Sequence, residues 1–433
     1  MTPLTIGLLG CVALLVLLMC SMPVGIVMGI VGAIGFACVV SGDAALAMIS
    51  TDFYDVFSNH SLSVIPLFVF MGQVAFHAGI SRRLFAAANS WLCQMKGGLA
   101  MATIGACAAF GAICGSGPAT AATMAAVALP EMRRLKYDDA LAAGSVAAGG
   151  GLGMLIPPSV VFIVYGILTE QSISKLFIAG ILPGILVAVL FCLVIAVLCR
   201  VNPRLAPPTH SVSWRHRFTA LFGVAETLLL FIFVMGGMFA GWFTPTEAAA
   251  VGAAGSVIIA VAGGNCSFKM LAQAAQETIR TSCMVLVIVA GATIFGHFIA
   301  ITGLPMQFAE RLTTLPVPHS VVIFMILTFY LFAGCFIDSL ALILLTVPIF
   351  YPVITEFGYD PIWFGVMIVL VTQMGVITPP VGVNAYVVSG IERRIPLQTV
   401  FRGAMPFLVA LFVACALIAL FPALALWLPS LTP

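Results

Sequence analysis

Asp338 is the lone carboxylate in the apolar run around "AGCFIDSLALILL". An ionisable group inside such a run is a functional candidate, and its plain alternative is a helix N-cap. The two roles are compatible. At an offset of 222, Ser116 in "GAICGSGPATAATM" occupies the matching position. Ser116 or Gly117 can cap a new helix, and Pro118 fits its first turn, where a missing N–H does no harm. Ser116, Thr120 and Thr123 bring hydroxyl oxygens to that point. Two more stretches, "GGGLGMLIPPS" and "QMGVITPPV", each set paired prolines behind a glycine. In unbroken helices Pro157 and Pro158 would donate to the carbonyls of Gly153 and Met154. The second pair, Pro379 and Pro380, would donate to Gly375 and Val376. Proline has no N–H, so these carbonyls are expected to be released. Lipid tolerates that only beside a cavity or a ligand. Released carbonyls are hard oxygen ligands that suit a small cation such as Na+. Thr378 and Asn384 flank the second break. Asn384 is either a ligand or a hydrogen bond between helices.

These residues lie in a chain of 433 residues that is 62% hydrophobic and only 7% charged. Soluble domains carry about 25% charged residues, so the class is an all-α polytopic membrane protein. The net charge of +2 says nothing about nucleic acid, but a nucleic-acid reader would need clustered base-facing Lys and Arg, and none appear, so no nucleic-acid partner is expected. The twelve cysteines show no CxxC and read as small apolar packing residues. His60, His77 and His297 lack metal-ligand spacing and are expected in structural or interfacial roles. The N-terminus reads as a retained first helix and not a signal peptide.

Spanning runs are expected at 4–21, 23–41, 62–80, 174–199, 218–241, 246–263, 282–303 and 404–429. Four stretches are broken: 98–134, 139–171, 318–352 and 362–390. Stretches 81–96 and 267–280 are semi-polar and fit either surface helices or plain connecting helices. The 222 offset also pairs Gly153 with Gly375, Pro130 with Pro352 and Pro23 with Pro245. This pairing divides the chain into two related halves, roughly 23–200 and 245–430. Lys and Arg cluster at 82–96, 133–136, 200–217, 269–280 and 393–402, on one side of the threaded chain. That side holds fifteen of the seventeen basic residues and is expected to be cytoplasmic, with both termini outside. Both 98–134 and 318–352 must then enter and leave from one side, the first from within and the second from without. The halves are thus expected to be inverted repeats with two re-entrant hairpins and two Pro-Pro broken helices, the pattern of secondary transporters.

The expected organisation is a first helix at 1–22 and scaffold helices with a surface arm at 23–97. The first transport part, 98–171, is followed by a scaffold helix and loop at 172–217 and a linking helix at 218–244. Scaffold and arm recur at 245–317, the second transport part is 318–390, and the last helix lies in 391–433. Glu226 in the linking helix fits a surface, partner or ion-pairing role.

"GSGPATAATM", "GLGMLIPPS", "FTPTEAAAVGA" and "MGVITPPVGVNAYVVSGI" resemble the large membrane subunit of tripartite ATP-independent periplasmic (TRAP) transporters. The resemblance covers essentially the whole chain. It implies an elevator-type symporter of the bacterial inner membrane, driven by Na+ and without an organic cofactor. Its implied partners are a separate four-helix membrane subunit, a periplasmic substrate-binding protein and the lipid bilayer. The implied substrate is a small organic anion: a C4-dicarboxylate, a sialic acid or another sugar or keto acid. Carried over, the sodium sites involve Gly115, Ser116 and Thr120 with Gly153 and Pro157, and Asp338 with Gly375, Thr378 and Pro379. Expected substrate contacts are Ser116, Gly117, Thr120, Thr123, Pro158, Ser159, Pro380 and Asn384. Gly117-Pro118 departs from the family pattern by removing one small polar residue from the first tip. An intramembrane enzyme using Asp338 would need a second ionisable or nucleophilic partner, and Asp338 has no obvious mate in the apolar segments. A passive anion channel would need repeated rings of charges or carbonyls.

Overall fold

The computed structural model describes residues 2–431 except Ser21, 208–212 and 314–316. Part of the basic loop 200–217 therefore lies outside the described residues. The described chain is helical, with no strand. The helices of its first half are α1 (Pro3–Met19), α2 (Val24–Val39), α3 (Gly42–Ser58), α4 (Val64–His77), α5 (Ile80–Leu92), α6 (Gly98–Cys114), α7 (Gly117–Arg134), α8 (Asp139–Leu155), α9 (Val160–Thr169) and α10 (Ile173–Val201). The second half comprises α11 (Trp214–Phe239), α12 (Pro245–Ala262), α13 (Phe268–Ile301), α14 (Leu304–Thr313), α15 (His319–Gly334), α16 (Ser339–Glu356), α17 (Pro361–Gly375), α18 (Val383–Ile391), α19 (Leu397–Leu420) and α20 (Ala423–Ser430). Eight helical segments among the described residues are long and apolar enough to cross a membrane, so the protein is multi-pass.

Local chemistry sets many of these ends. Asp138 accepts from the amides of Ala140 and Leu141 at the start of α8, and Asp360 accepts from those of Ile362 and Trp363 at the start of α17. Thr244 and Glu247 form a reciprocal capping box on α12, with Pro245 in the first turn. Gly79 and Gly303 hold positive φ and end the helices before α5 and α14.

Three elements differ from expectation. Residues 42–58, which lie between two expected spans, form α3. Ser41 caps it, and Ala45, Asp52 and Val56 are buried along it. Stretch 267–280 is not a separate surface helix. It is the first part of the 34-residue α13, because no Gly or Pro separates it from 282–303. The amphipathic helix that begins after a left-handed glycine, as α5 does, is α14. Stretch 404–429 is divided at Phe421 and Pro422 into α19 and α20.

The helices pack as two groups. α2, α4, α12 and α13 form one, joined by α1, α3 and α11. In the other, α6–α9 and α15–α18 pack with α10, α19 and α20. α10 and α19 both pack against α8 and α17. α5 packs on both α11 and α6, while α14 packs on α13 and α16, so these two helices bridge the groups.

Polar and ionic contacts tie distant segments. Arg133 reaches Asp139 and Glu392, each at 3.2 Å, and links α7, α8 and the end of α18. His297 Nδ1 lies 2.9 Å from Asp52, and His77 Nε2 lies 3.1 Å from Glu277. Both histidines thus sit at helix interfaces. Glu226 faces outward from α11.

Candidate functional site

The tip between α6 and α7 turns on Gly115, which holds φ 68, with Ser116 as the N-cap position of α7. The Ser116 hydroxyl makes no cap bond, so its oxygen is available. The Thr120 hydroxyl donates to the Ser116 carbonyl at 2.8 Å. At the other tip Asp338 is the N-cap of α16 and accepts the Leu340 amide at 3.0 Å. A carboxylate has about four acceptor sites, so capping leaves capacity for a second partner.

Each tip is stitched to a broken helix. The Gly115 carbonyl accepts from the Val160 amide at 3.1 Å, and the Cys335 carbonyl accepts from Val381 and Gly382 at 3.2 and 3.3 Å. Glycines allow the approach behind each tip. A Cβ on Gly111 would lie 2.7 Å from Gly153 Cα, and one on Gly375 would lie 2.5 Å from the Gly334 carbonyl carbon. Pro157-Pro158 and Pro379-Pro380 are both cis, the first pair buried and the second exposed.

The expected release of carbonyls at the breaks is corrected by the structure. The Met154 carbonyl accepts from the Ser159 hydroxyl. The Gly375 carbonyl accepts from the Thr378 amide at 3.1 Å, and the Val376 carbonyl from the Asn384 amide at 3.0 Å. Among the described residues only Gly153, of the four, keeps its carbonyl without a donor. The reason is geometric: each break folds back, and the next polar group reaches the carbonyl that proline cannot serve. Ser159 also accepts the Phe162 amide at 3.4 Å and is fully buried. Ser159→Ala should therefore lower stability by about 1–3 kcal/mol, since it strands a carbonyl and an amide. Thermal unfolding in detergent checks this, and an unchanged midpoint would show that the break is held by other contacts.

Both tips open on one cleft of about 230 Å³. Gly115, Ser116 and Gly117 line it from the first tip, and Asp338 and Ser339 from the second. Its far wall is Val69 of α4 with Thr281, Met284 and Val285 of α13. Sequence reasoning missed that wall. The apolar members carry no local signal, but the polar pair Thr281-Ser282 opening an apolar run was visible. The hydroxyls of Ser282 and Ser339 are buried without a partner among the described residues. Asp338 is the one formal charge in the lining, which holds no Lys, Arg or His. Its hard donors are therefore oxygens, beside the soft thioethers of Met154 and Met284. Among the described residues no group of three or more His, Cys, Asp or Glu could hold a metal ion.

The remaining candidates stand back from this lining. Thr120 sits against Gly153, where a Cβ would meet its Oγ1 at 2.6 Å. Thr123 lies further along α7, buried, and the Thr378 hydroxyl donates to the Met374 carbonyl at 2.7 Å. Pro157, Pro158, Pro379 and Pro380 shape the two breaks. Asn384 is fully buried and donates to the Ala147 carbonyl at 3.1 Å, so it joins α18 to α8 and does not reach the cleft.

Such an arrangement of helices is similar to two solved structures. One is the Alcanivorax borkumensis YdaH transporter, with TM-score 0.55, 15% identity and all of both chains covered. The other is Neisseria gonorrhoeae MtrF, described with a class of antimetabolite efflux pumps, with TM-score 0.57, 13% identity and 96% and 95% of the chains covered. At these identities the likeness defines the class by fold: a polytopic helical fold shared with membrane transport proteins. The sequence narrows it. Residues 11–424 match the tripartite ATP-independent periplasmic transporter, DctM component, and the chain belongs to that family. It is 36% identical over 378 residues to the C4-dicarboxylate TRAP transporter large permease protein DctM of Pseudomonas aeruginosa, covering 87% of this chain and 88% of that one. It is 37% identical over 374 residues to the sialic acid TRAP transporter large permease protein SiaM of Vibrio cholerae, covering 86% and 87%. These relatives are permeases, and the role of this chain is transport, not catalysis.

Proposed function

We propose that this chain is the membrane carrier for Na+-coupled uptake of a small organic anion, delivered by a periplasmic binding protein and assisted by a separate small membrane subunit. The relatives' names make a C4-dicarboxylate or a sialic acid the first substrates to test, with other sugar or keto acids next. The observation that carries the coupling is the charge of the cleft. Its lining offers Asp338, hydroxyls and main chain, and no cation for an anionic substrate. A bare anion would be repelled by Asp338, by about 4 kcal/mol at 4 Å in an effective dielectric of 20. A cation held by Asp338, Ser339 and Ser116 removes that repulsion, so anion binding depends on the cation. The carboxylate and hydroxyl oxygens of the lining, with the unpaired Ser339 hydroxyl among them, fit Na+.

The transport motion is proposed as an elevator in which the α6–α10 and α15–α20 group slides past the α2, α4, α12 and α13 group. Support comes from the packing into two groups and from α5 and α14 as the bridges between them. Inverted repeats are supported by the shared offset of 222. It relates the starts of α7 and α16, the starts of α8 and α17, the caps Asp138 and Asp360, and the paired prolines. The bacterial inner membrane, with both termini periplasmic, is the location this topology fits.

The test is uptake into proteoliposomes that contain both membrane subunits, with the binding protein outside. An inward Na+ gradient should drive accumulation, since each net charge moved across about 100 mV supplies roughly 2.3 kcal/mol. Preloaded substrate should exchange for labelled substrate. Uptake that ignores Na+, or an absence of exchange, would overturn the symporter reading.

A further inference from the structure

A second cleft, of about 270 Å³, lies at the opposite end of α6 from the first tip. It is lined by Met95 and Lys96 in the turn after α5, Met101 near the start of α6, and Ala196 and Arg200 at the end of α10. We propose that this cleft binds an anionic phospholipid of the cytoplasmic leaflet.

The charge of the cleft comes first. Lys96 and Arg200 line it together, no carboxylate does, and among the described residues neither forms an ion pair. The nearby Arg133 and Arg134 are already engaged by Asp139, Glu392 and Glu131. Two free cations at one mouth, walled by two methionines and an alanine, match a phosphate ester attached to an apolar body. The geometry is fixed beneath them. The Gly97 turn holds positive φ, and a Cβ there would meet Cys199 Sγ at 2.6 Å and Ile195 at 2.8 Å. The turn that carries Lys96 is thus pressed onto the turn of α10 that carries Arg200.

An acyl chain has a track. Ile185, Val189, Leu193, Val197 and Val201 repeat every four residues along α10, and each is half or more exposed. This ridge runs beside Ala196 and Arg200. Depth agrees as well. Trp91 at the end of α5 packs edge-on against Trp214 at the start of α11, and both are exposed. Tryptophans in this setting mark the headgroup level, where basic pockets between helices take anionic lipids. The cytoplasmic orientation rests on the clustering of basic residues on one side of the membrane, while the site itself does not depend on which substrate is carried.

Purified protein in detergent should be titrated with phosphatidylglycerol or with phosphatidylcholine, and the unfolding midpoint followed. Phosphatidylglycerol should raise the midpoint and phosphatidylcholine should not. Each cation near an anionic surface is worth about fivefold in binding, so Lys96→Gln with Arg200→Gln should weaken the apparent affinity about twenty-five-fold. Lys269→Gln, at the start of α13 and outside the cleft, should keep the wild-type response. If the double variant is poorly folded, Lys96→Arg with Arg200→Lys keeps both charges and should retain the stabilisation. Equal responses from wild type and the double variant would overturn the site in favour of a diffuse surface charge effect. Stabilisation by inorganic phosphate alone would overturn the lipid as its occupant.

Discussion

Asp338→Asn is expected to raise the Na+ concentration needed for half-maximal uptake by at least tenfold while the protein still folds and inserts. Asparagine caps a helix about as well as aspartate, so the bond to the Leu340 amide and the start of α16 survive. The variant loses the one formal charge of the cleft. A full charge 4 Å from a cation is worth about 4 kcal/mol at an effective dielectric of 20, which leaves ample room for a tenfold effect after solvent screening. The measurement is initial uptake against external Na+ in proteoliposomes. Wild-type Na+ dependence in the variant would remove Asp338 from the coupling site and leave it as a cap alone.

Gly375→Ala is expected to lower stability by about 1–3 kcal/mol, as overpacking does, and to reduce transport by more than tenfold. Its Cβ would lie 2.5, 2.7 and 2.8 Å from the carbonyl carbon, oxygen and Cα of Gly334. All three are backbone atoms, so no side chain can turn aside, and α15 must separate from α17. That movement pulls the Cys335 carbonyl away from the amides of Val381 and Gly382 and shifts the tip that holds Asp338. Gly390→Ala is the control: it lies in α18 with open space around its Cβ position, and alanine is the better helix former. Thermal unfolding and uptake of both variants check the expectation. A Gly375→Ala protein as stable and active as the Gly390→Ala protein would show that the crossing of α15 and α17 is not close during transport.

The elements around the tips were legible because they are encoded by residues with strong local preferences. Proline cannot donate, glycine tolerates positive φ, and Asp or Ser caps the next helix; the starts of α8, α9, α16 and α17 show the caps, and the first tip turns on Gly115 with Pro118 in the first turn of α7. Helix α3 and the continuity of α13 were harder. A half-polar stretch looks the same as a loop, a surface helix or the end of a longer helix until its neighbours define which face is covered. The fate of the carbonyls at the breaks was likewise hidden. Whether Ser159 reaches Met154, or Asn384 reaches Val376, depends on how each chain folds back after its prolines. The sequence names the atoms without fixing that path.

Sequence alone determined that this protein is multi-pass, where its backbone must break, and that Asp338 is the one carboxylate in its apolar run. Those properties are summed or local, set by hydropathy and by the covalent limits of proline and glycine. Only the tertiary structure decided that the two tips share one cleft, that α4 and α13 wall it, and that α10 and α19 pack with the broken helices. Those facts depend on contacts between residues far apart in the chain, where close glycine crossings and helix packing, and not local preference, choose the partner.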